Sequence, residues 1–327
     1  MNGTFDKTRA VETAVAAIDR QFGRGSIISM GDADPVEKIA AIPTGSLGLD
    51  AAIGVGGLPR GRVVELFGPK AAGKTTLALH AVASAQAAGG IAAFVDAGHT
   101  LDMRYAAAVG VAVDNLYLSQ PDTGEQALEI VEILARSGGV DLIVVDSVNA
   151  LTPRAQIEGD AGDEYSGIQA RLMSQALRKL TAVAHRTGTS LLFVTEGEGA
   201  PGVPCANAAL KFYSSVRLDV RKVQEEKDGD RVVGHLTRVR VVKNKVARPF
   251  AEAEFLIHDG TGIDRVAELA DQVIALGVLD GSADLTVAVA RDPKKLAVAL
   301  RDADKLRRFL EGEVRERLGL TPVSPTT

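Results

Sequence analysis

The chain has 327 residues, of which 46% are hydrophobic and 24% charged, and its formal net charge is −5. That is enough material for one large core of ~200 residues and a smaller satellite, so two domains are expected. A negative balance argues against a uniformly basic nucleic-acid coat, yet residues 211–248 carry eleven Lys/Arg against five Asp/Glu, which leaves room for a local basic face. Cys205 is the single cysteine, which excludes an intramolecular disulfide framework and a cysteine-cluster metal site and fits a reducing compartment. The first 26 residues hold no run of signal-peptide character, and no stretch reaches ~18 uninterrupted apolar residues, so a soluble, cytoplasmic protein without membrane contact is expected.

In chain order, Val11, Ala14, Val15, Ile18 and Phe22 recur at helical spacing, and Gln21-Phe22-Gly23-Arg24-Gly25 ends that helix before a short β-like run at 26–30. Residues 1–34 therefore read as a helix-strand arm ahead of a core spanning 35–263. A strand-like run at 62–67 leads into Gly68-Pro69-Lys70-Ala71-Ala72-Gly73-Lys74-Thr75, which fits the phosphate-loop pattern G-x-x-x-x-G-K-[ST], and Thr76 follows as a helix opens. Glycines there let successive backbone N–H groups turn toward β- and γ-phosphates, Lys74 neutralises their charge, and the Thr75 hydroxyl is placed to ligate Mg²⁺.

Beyond the loop, apolar runs at 91–96, 115–119, 141–146 and 190–195 alternate with helical stretches near 75–88, 123–137 and 167–186. Strands without polar alternation are buried on both faces, the pattern of a mainly parallel α/β sheet between helices. Strands near 214–222 and 236–245 bracket a polar turn at 224–230 and read as a hairpin appended to one edge. From 264 an Ala/Leu/Arg-rich helical pattern marks a second, small domain to about 320, and 321–327 form a polar tail.

Two further features carry chemistry. Leu142-Ile143-Val144-Val145-Asp146 is an apolar strand ending in a carboxylate, as a Mg²⁺ shell beside Thr75 requires; taken alone, such an Asp serves equally as a helix cap. Arg171, Ser174, Gln175 and Arg178 lie three and four apart, so one helix stripe presents two cations and two hydrogen-bonding groups. That stripe suits a phosphate backbone, and it also fits an ordinary solvated face.

The runs Thr44-Gly45-Ser46-Leu47, Gly68 to Thr75, Ser119 to Glu129, Ile143 to Ser147, Ala150-Leu151-Thr152-Pro153, Ile157-Glu158-Gly159, Ala209-Leu210-Lys211-Phe212-Tyr213 and Val242-Lys243-Asn244-Lys245 together resemble the bacterial RecA recombinase family, whose members form filaments on single-stranded DNA. The resemblance runs in order from Asp6 to about Leu320. It implies a RecA-type phosphate-loop NTPase core, an N-terminal polymerisation arm that includes Phe22 and Ile27, a small C-terminal α+β domain, and a function in recombination and DNA repair. It implies ATP and Mg²⁺ as ligands, with Asp102 and Tyr105 holding the adenine and Lys243 and Lys245 reaching a neighbouring subunit's γ-phosphate. Arg171, Ser174 and Arg178 become DNA-binding residues beside a first DNA loop at 158–167.

Three departures stand against the family pattern. Gly98 occupies the position of the glutamate that polarises the attacking water. Glu196 occupies that of a γ-phosphate-sensing glutamine, with Thr195 in place of an asparagine. The second DNA loop, 197–207, is short and holds no Lys, Arg or aromatic residue; its only charge is negative, whereas a single-strand groove uses cations and stacking groups. Aromatics expected near 281–292 are also absent, although Lys294, Lys295, Arg301, Lys305, Arg307 and Arg308 give the C-terminal part a basic side. Two readings remain: a recombinase whose hydrolysis is impaired, or a non-hydrolysing paralogue acting beside a second RecA as an accessory filament subunit with weak DNA binding. A hexameric-helicase module sharing the core is disfavoured by the polymerisation arm.

Overall fold

The computed structural model describes residues 2–27, 29, 39–159, 167–197, 206–279 and 292–320. Two compact units result, 1–38 and 39–327. In the first, α1 (Asn2–Phe22) ends where Gly23 takes a φ of 98° and returns its N–H to Asp19 O. Of the β-like run expected at 26–30, Ser26 and Ile27 form a bend, while Ile28 and Met30 lie outside the described residues.

The second unit begins with β1 (Ala41–Ile42), α2 (Leu47–Ile53) and β2 (Leu58–Pro59), the two strands forming a small antiparallel pair. An alternating series follows: β3 (Val63–Gly68), α3 (Lys74–Ala87), β4 (Ala92–Asp96), α4 (Met103–Val109), β5 (Tyr117–Ser119), α5 (Gly124–Ser137), β6 (Leu142–Asp146), α6 (Arg154–Glu158), α7 (Ile168–Thr187), β7 (Ser190–Glu196) and α8 (Ala206–Tyr213). Two long strands, β8 (Val216–Asp228) and β9 (Arg231–Asn244), then β10 (Glu252–His258) and β11 (Gly262–Ile263), complete the sheet. The last described elements are α9 (Arg265–Ala275), α10 (Pro293–Arg301) and α11 (Asp304–Arg317).

Among the described residues the main sheet has nine strands in the order β11-β10-β9-β8-β3-β7-β6-β4-β5. Strands β8, β3, β7, β6, β4 and β5 run parallel, and β9, β10 and β11 extend the sheet antiparallel. This is the expected mostly parallel α/β architecture. Apolar layers cover both faces: Val64, Leu66, Phe94 and Leu79 of α3 on one, Val63, Ile143, Phe193 and Leu177 of α7 on the other. The parallel strands are continuous Val/Ile/Leu/Ala/Phe runs because both faces are buried.

The hairpin differs from expectation. Strand β8 runs to Asp228 and β9 starts at Arg231, so Gln224, Glu225, Glu226 and Lys227 are strand residues, and Gly229-Asp230 make the turn. Their polarity signals solvent on both faces of a projecting ribbon rather than a break in the ladder, since residues 221–232 are exposed. Nor is the hairpin simply appended, because β8 itself pairs parallel with β3.

Helices α9 to α11 gather their own apolar cluster, with Leu269, Val273, Leu296, Leu300, Leu310 and Val314, joined by Leu47 of α2. Polar groups fasten the same junction. Glu268 accepts from Ser46 Oγ (2.5 Å) and Gly48 N (2.8 Å), and Asp50 Oδ2 lies 3.4 Å from Arg315 Nη1. No helix among the described residues is long and apolar enough to cross a membrane.

Candidate nucleotide-binding site

Strand β3 delivers the phosphate loop to the carboxyl end of the sheet, where α/β folds place their ligands. Gly68 takes a φ of 148°, and a Cβ there would sit 2.1 Å from Val220 O; Gly73 takes 92°, and its Cβ would meet Ile257 Cδ1 at 2.4 Å. Glycine is thus required at both positions by backbone conformation and by space. Ala71 also adopts a positive φ, 57°. Between these residues the loop curls so that Lys74 Nζ donates to Gly68 O (3.0 Å) and Pro69 O (2.6 Å). Burial depresses the Lys74 ammonium pKa, against the opposing pull of Glu196 and Asp146.

A cavity of about 450 Å³ opens in front of this loop, lined by Lys70, Ala71, Gly73, Lys74, Thr75, Thr76, Tyr105, Asp146, Val194 and Glu196, and by His235, Ile257, His258, Asp259 and Gly260. Asp146, at the end of β6, accepts a 2.6 Å hydrogen bond from Thr75 Oγ1. Burial pushes its carboxyl pKa up, and Asp96 and Glu196 push the same way. Glu196 faces Lys70, and the Asp146 carboxylate with the Thr75 hydroxyl supplies the hard oxygen donors a divalent cation takes, so the residues present fit Mg²⁺. No group of three or more His, Cys, Asp or Glu with metal-site geometry occurs among the described residues.

Tyr105 reaches the cavity and exchanges a 2.8 Å hydrogen bond with Thr76 Oγ1. Asp102 is placed differently from its expected neighbour: its Oδ1 caps α4, accepting from Arg104 N and Tyr105 N, and it does not line the cavity. Gly98 sits in the turn after β4. That turn is shaped by Asp96, which accepts from Thr100 N, Leu101 N and Gln120 Nε2, and is tied to β6 by Ala97 N donating to Asp146 O (2.9 Å). Glu196 ends β7 with its carboxylate 3.5 Å from Lys70 Nζ and its backbone N–H on Asn149 Oδ1 (2.7 Å).

Residues 9–264 match the RecA N-terminal domain. Protein RecA of Frankia alni is 50% identical over 333 residues, covering 98% of this chain and 96% of its own, and Protein RecA of Campylobacter hominis is 48% identical over 336 residues with the same coverage. Protein RecA 1 of Myxococcus xanthus is 56% identical over 289 residues, covering 86% and 84%. The chain belongs to the RecA family. The remaining residues assigned by that resemblance lie away from the cavity. Lys243 is on β9, where its Nζ donates to the carbonyls of Lys211 and Phe212 (3.1 Å) at the end of α8. Lys245 falls one residue past the strand, in a bend.

Arg171, Ser174, Gln175 and Arg178 do share a stripe of α7, with both arginines exposed. Arg178 borders a groove also walled by Glu125, Glu129 and Glu132 of α5 and by Arg136 and Lys179, both of which pair with Glu132, so acidic and basic groups are balanced there. Of the first DNA loop, 160–166 lie outside the described residues, as do 198–205 of the second and 280–291 near the missing aromatics. In the C-terminal basic set, Lys295, Arg301 and Arg307 each pair with an aspartate.

Sequence reading missed His235, Ile257, His258, Asp259 and Gly260, because β9 and β10 reach the loop only through long-range strand pairing. It also missed a buried chain of polar contacts behind the loop. Thr195 Oγ1 donates to Glu65 Oε1 (3.0 Å), Arg217 Nε donates to Glu65 Oε2 (2.5 Å), and the Arg217 guanidinium lies 4.5 Å over the Phe67 ring. A glutamate inside the apolar run 63–67 was the available signal.

Proposed function

We propose that this chain is an ATP-binding, filament-forming RecA-family protein of homologous recombination and DNA repair, acting in the cytoplasm on single-stranded DNA, with ATP hydrolysis impaired. One observation carries the reading: the phosphate loop and the Thr75–Asp146 pair are complete, while the turn beside Asp146 presents Gly98 and no side chain. Backbone N–H groups of 69–74 and Lys74 would hold the β- and γ-phosphates, Thr76 and Tyr105 the nucleoside side, and Asp102 positions Tyr105 by capping its helix. Thr75 and Asp146 would hold Mg²⁺, which when bound neutralises phosphate charge. Lacking a positioned water-orienting group, catalysis loses ~10²–10⁴ in rate, whereas binding does not need that group.

Lys243 and Lys245, distant from their own cavity, act on a neighbour's nucleotide, so assembly and ATP binding are coupled in head-to-tail filaments. Arg171, Ser174 and Arg178 contact the DNA backbone. The acidic 197–207 loop favours a second reading, in which the chain is an accessory subunit in filaments of a second RecA and binds DNA weakly by itself. Titration with Mg·ATP and light scattering with a non-hydrolysable analogue test the primary reading. Native protein should bind and grow into oligomers with concentration, and Lys74→Ala should abolish both. A protein that stays monomeric at high concentration with the analogue bound would sink the filament proposal.

A further inference from the structure

His235 stands out within the cavity because its Nε2 is buried and makes no hydrogen bond among the described residues. Buried polar atoms are nearly always paired, so an orphan on a residue that lines a ligand cavity points to a partner that arrives with the ligand. The ring is held in place by strand pairing. His235 on β9 lies opposite Ile257 on β10 and Glu225 on β8, and its Nε2 is 3.7 Å from where a Cβ would sit on the phosphate-loop residue Gly73. It therefore faces the loop from the β9–β10 side, the wall it shares with His258, Asp259 and Gly260, while Thr75 and Asp146 belong to α3 and β6.

Resting on the ATP reading above, we propose that His235 is a nucleotide-binding residue of this site, its Nε2–H closing a hydrogen bond to an oxygen of the sugar or phosphates of the bound nucleoside triphosphate. Burial and the nearby Lys222 depress the imidazole pKa, Asp259 opposing them, so the ring is neutral in the free protein. The charged or titratable groups around it are Lys222 and Glu225 on β8, His258 and Asp259 at the end of β10, and Tyr105 and Lys74 across the cavity. A polyanion placed against Nε2 would raise that pKa, so nucleotide binding draws a proton onto His235 and strengthens as pH falls.

The test is equilibrium binding of Mg·ATPγS to the full chain across pH, with His235→Ala, His235→Gln and Lys74→Ala, each checked by thermal melting without nucleotide. Glutamine keeps an N–H donor at similar reach but does not titrate. His235→Ala should bind roughly five- to tenfold more weakly, the range of one lost hydrogen bond. His235→Gln should retain most of the affinity and lose the extra tightening at low pH. If His235→Ala binds as tightly as native protein, or His235→Gln keeps the native pH dependence, the proposal is wrong. A native chain that binds no nucleotide, or a Lys74→Ala chain that binds normally, would instead overturn the ATP reading itself.

Discussion

On the reading proposed above, replacing Gly98 by glutamate should accelerate ATP hydrolysis. The structure admits the side chain: Gly98 does not need a positive φ, and a Cβ there would meet only Thr100 Oγ1 at 3.5 Å and Cγ2 at 3.6 Å, ordinary contact distances. The turn is anchored on Asp146 O and by Asp96, so a new carboxylate would be delivered beside the Thr75–Asp146 pair. Recovering ~10²–10⁴ in rate corresponds to about 2.7–5.4 kcal/mol of barrier. Part of that gain will be offset, because Asp96 and Glu196 already push the Asp146 pKa up and another anion adds to the repulsion. Combining Gly98→Glu with Glu196→Gln removes one of those anions and should be faster still. Phosphate release with single-stranded DNA and saturating Mg·ATP reads the effect. If Gly98→Glu binds ATP like the native chain but turns over no faster, the missing carboxylate is not what limits hydrolysis.

Other consequences follow from groups outside the cavity. Burial raises Asp50 from 3.8 to about 6 and Glu268 from 4.5 to about 7. Folding therefore favours their protonated forms: that stability is complete below their ordinary values and is lost as pH rises through about 6 and 7, so the thermal midpoint should fall from about pH 4 to about pH 7 and level off above. Glu268→Gln, which keeps an oxygen for Ser46 and Gly48, should flatten that decline; an unchanged slope would refute the assignment. Arg217→Met strips the guanidinium from the fully buried Glu65 and should cost about 3–5 kcal/mol in urea unfolding, much more than Arg217→Met combined with Glu65→Gln; a single-mutant cost under about 1 kcal/mol would contradict this. The Arg171→Ala/Arg178→Ala double variant should weaken single-stranded DNA binding and flatten its salt dependence by roughly two phosphate contacts, and no loss would place the DNA elsewhere.

Most of the sheet was legible because its strands are buried on both faces and separated by amphipathic helices, so apolar runs at 91–96, 141–146 and 190–195 map directly onto β4, β6 and β7. The phosphate loop and the strand-terminal Asp146 were legible for the same local reason. The hairpin was misread where exposure replaces burial: Gln224 to Lys227 have turn-like polarity but ladder pairing. The second wall of the cavity was invisible because His235 and Asp259 are brought to Gly73 by β9–β10 pairing, which no local pattern encodes. The capping role of Asp102, whose Oδ1 serves the backbone of α4, was legible from its position just before a helical run.

The most direct test measures ATP occupancy and ATP turnover on one preparation of the native chain, with Mg²⁺ and single-stranded DNA at low salt. The expected result is saturable binding, abolished by Lys74→Ala, with turnover at least about a hundredfold below that of Gly98→Glu. Brisk turnover by the native chain, unaffected by Glu196→Gln, would contradict the claim that this site binds its nucleotide but has lost the group that hydrolyses it.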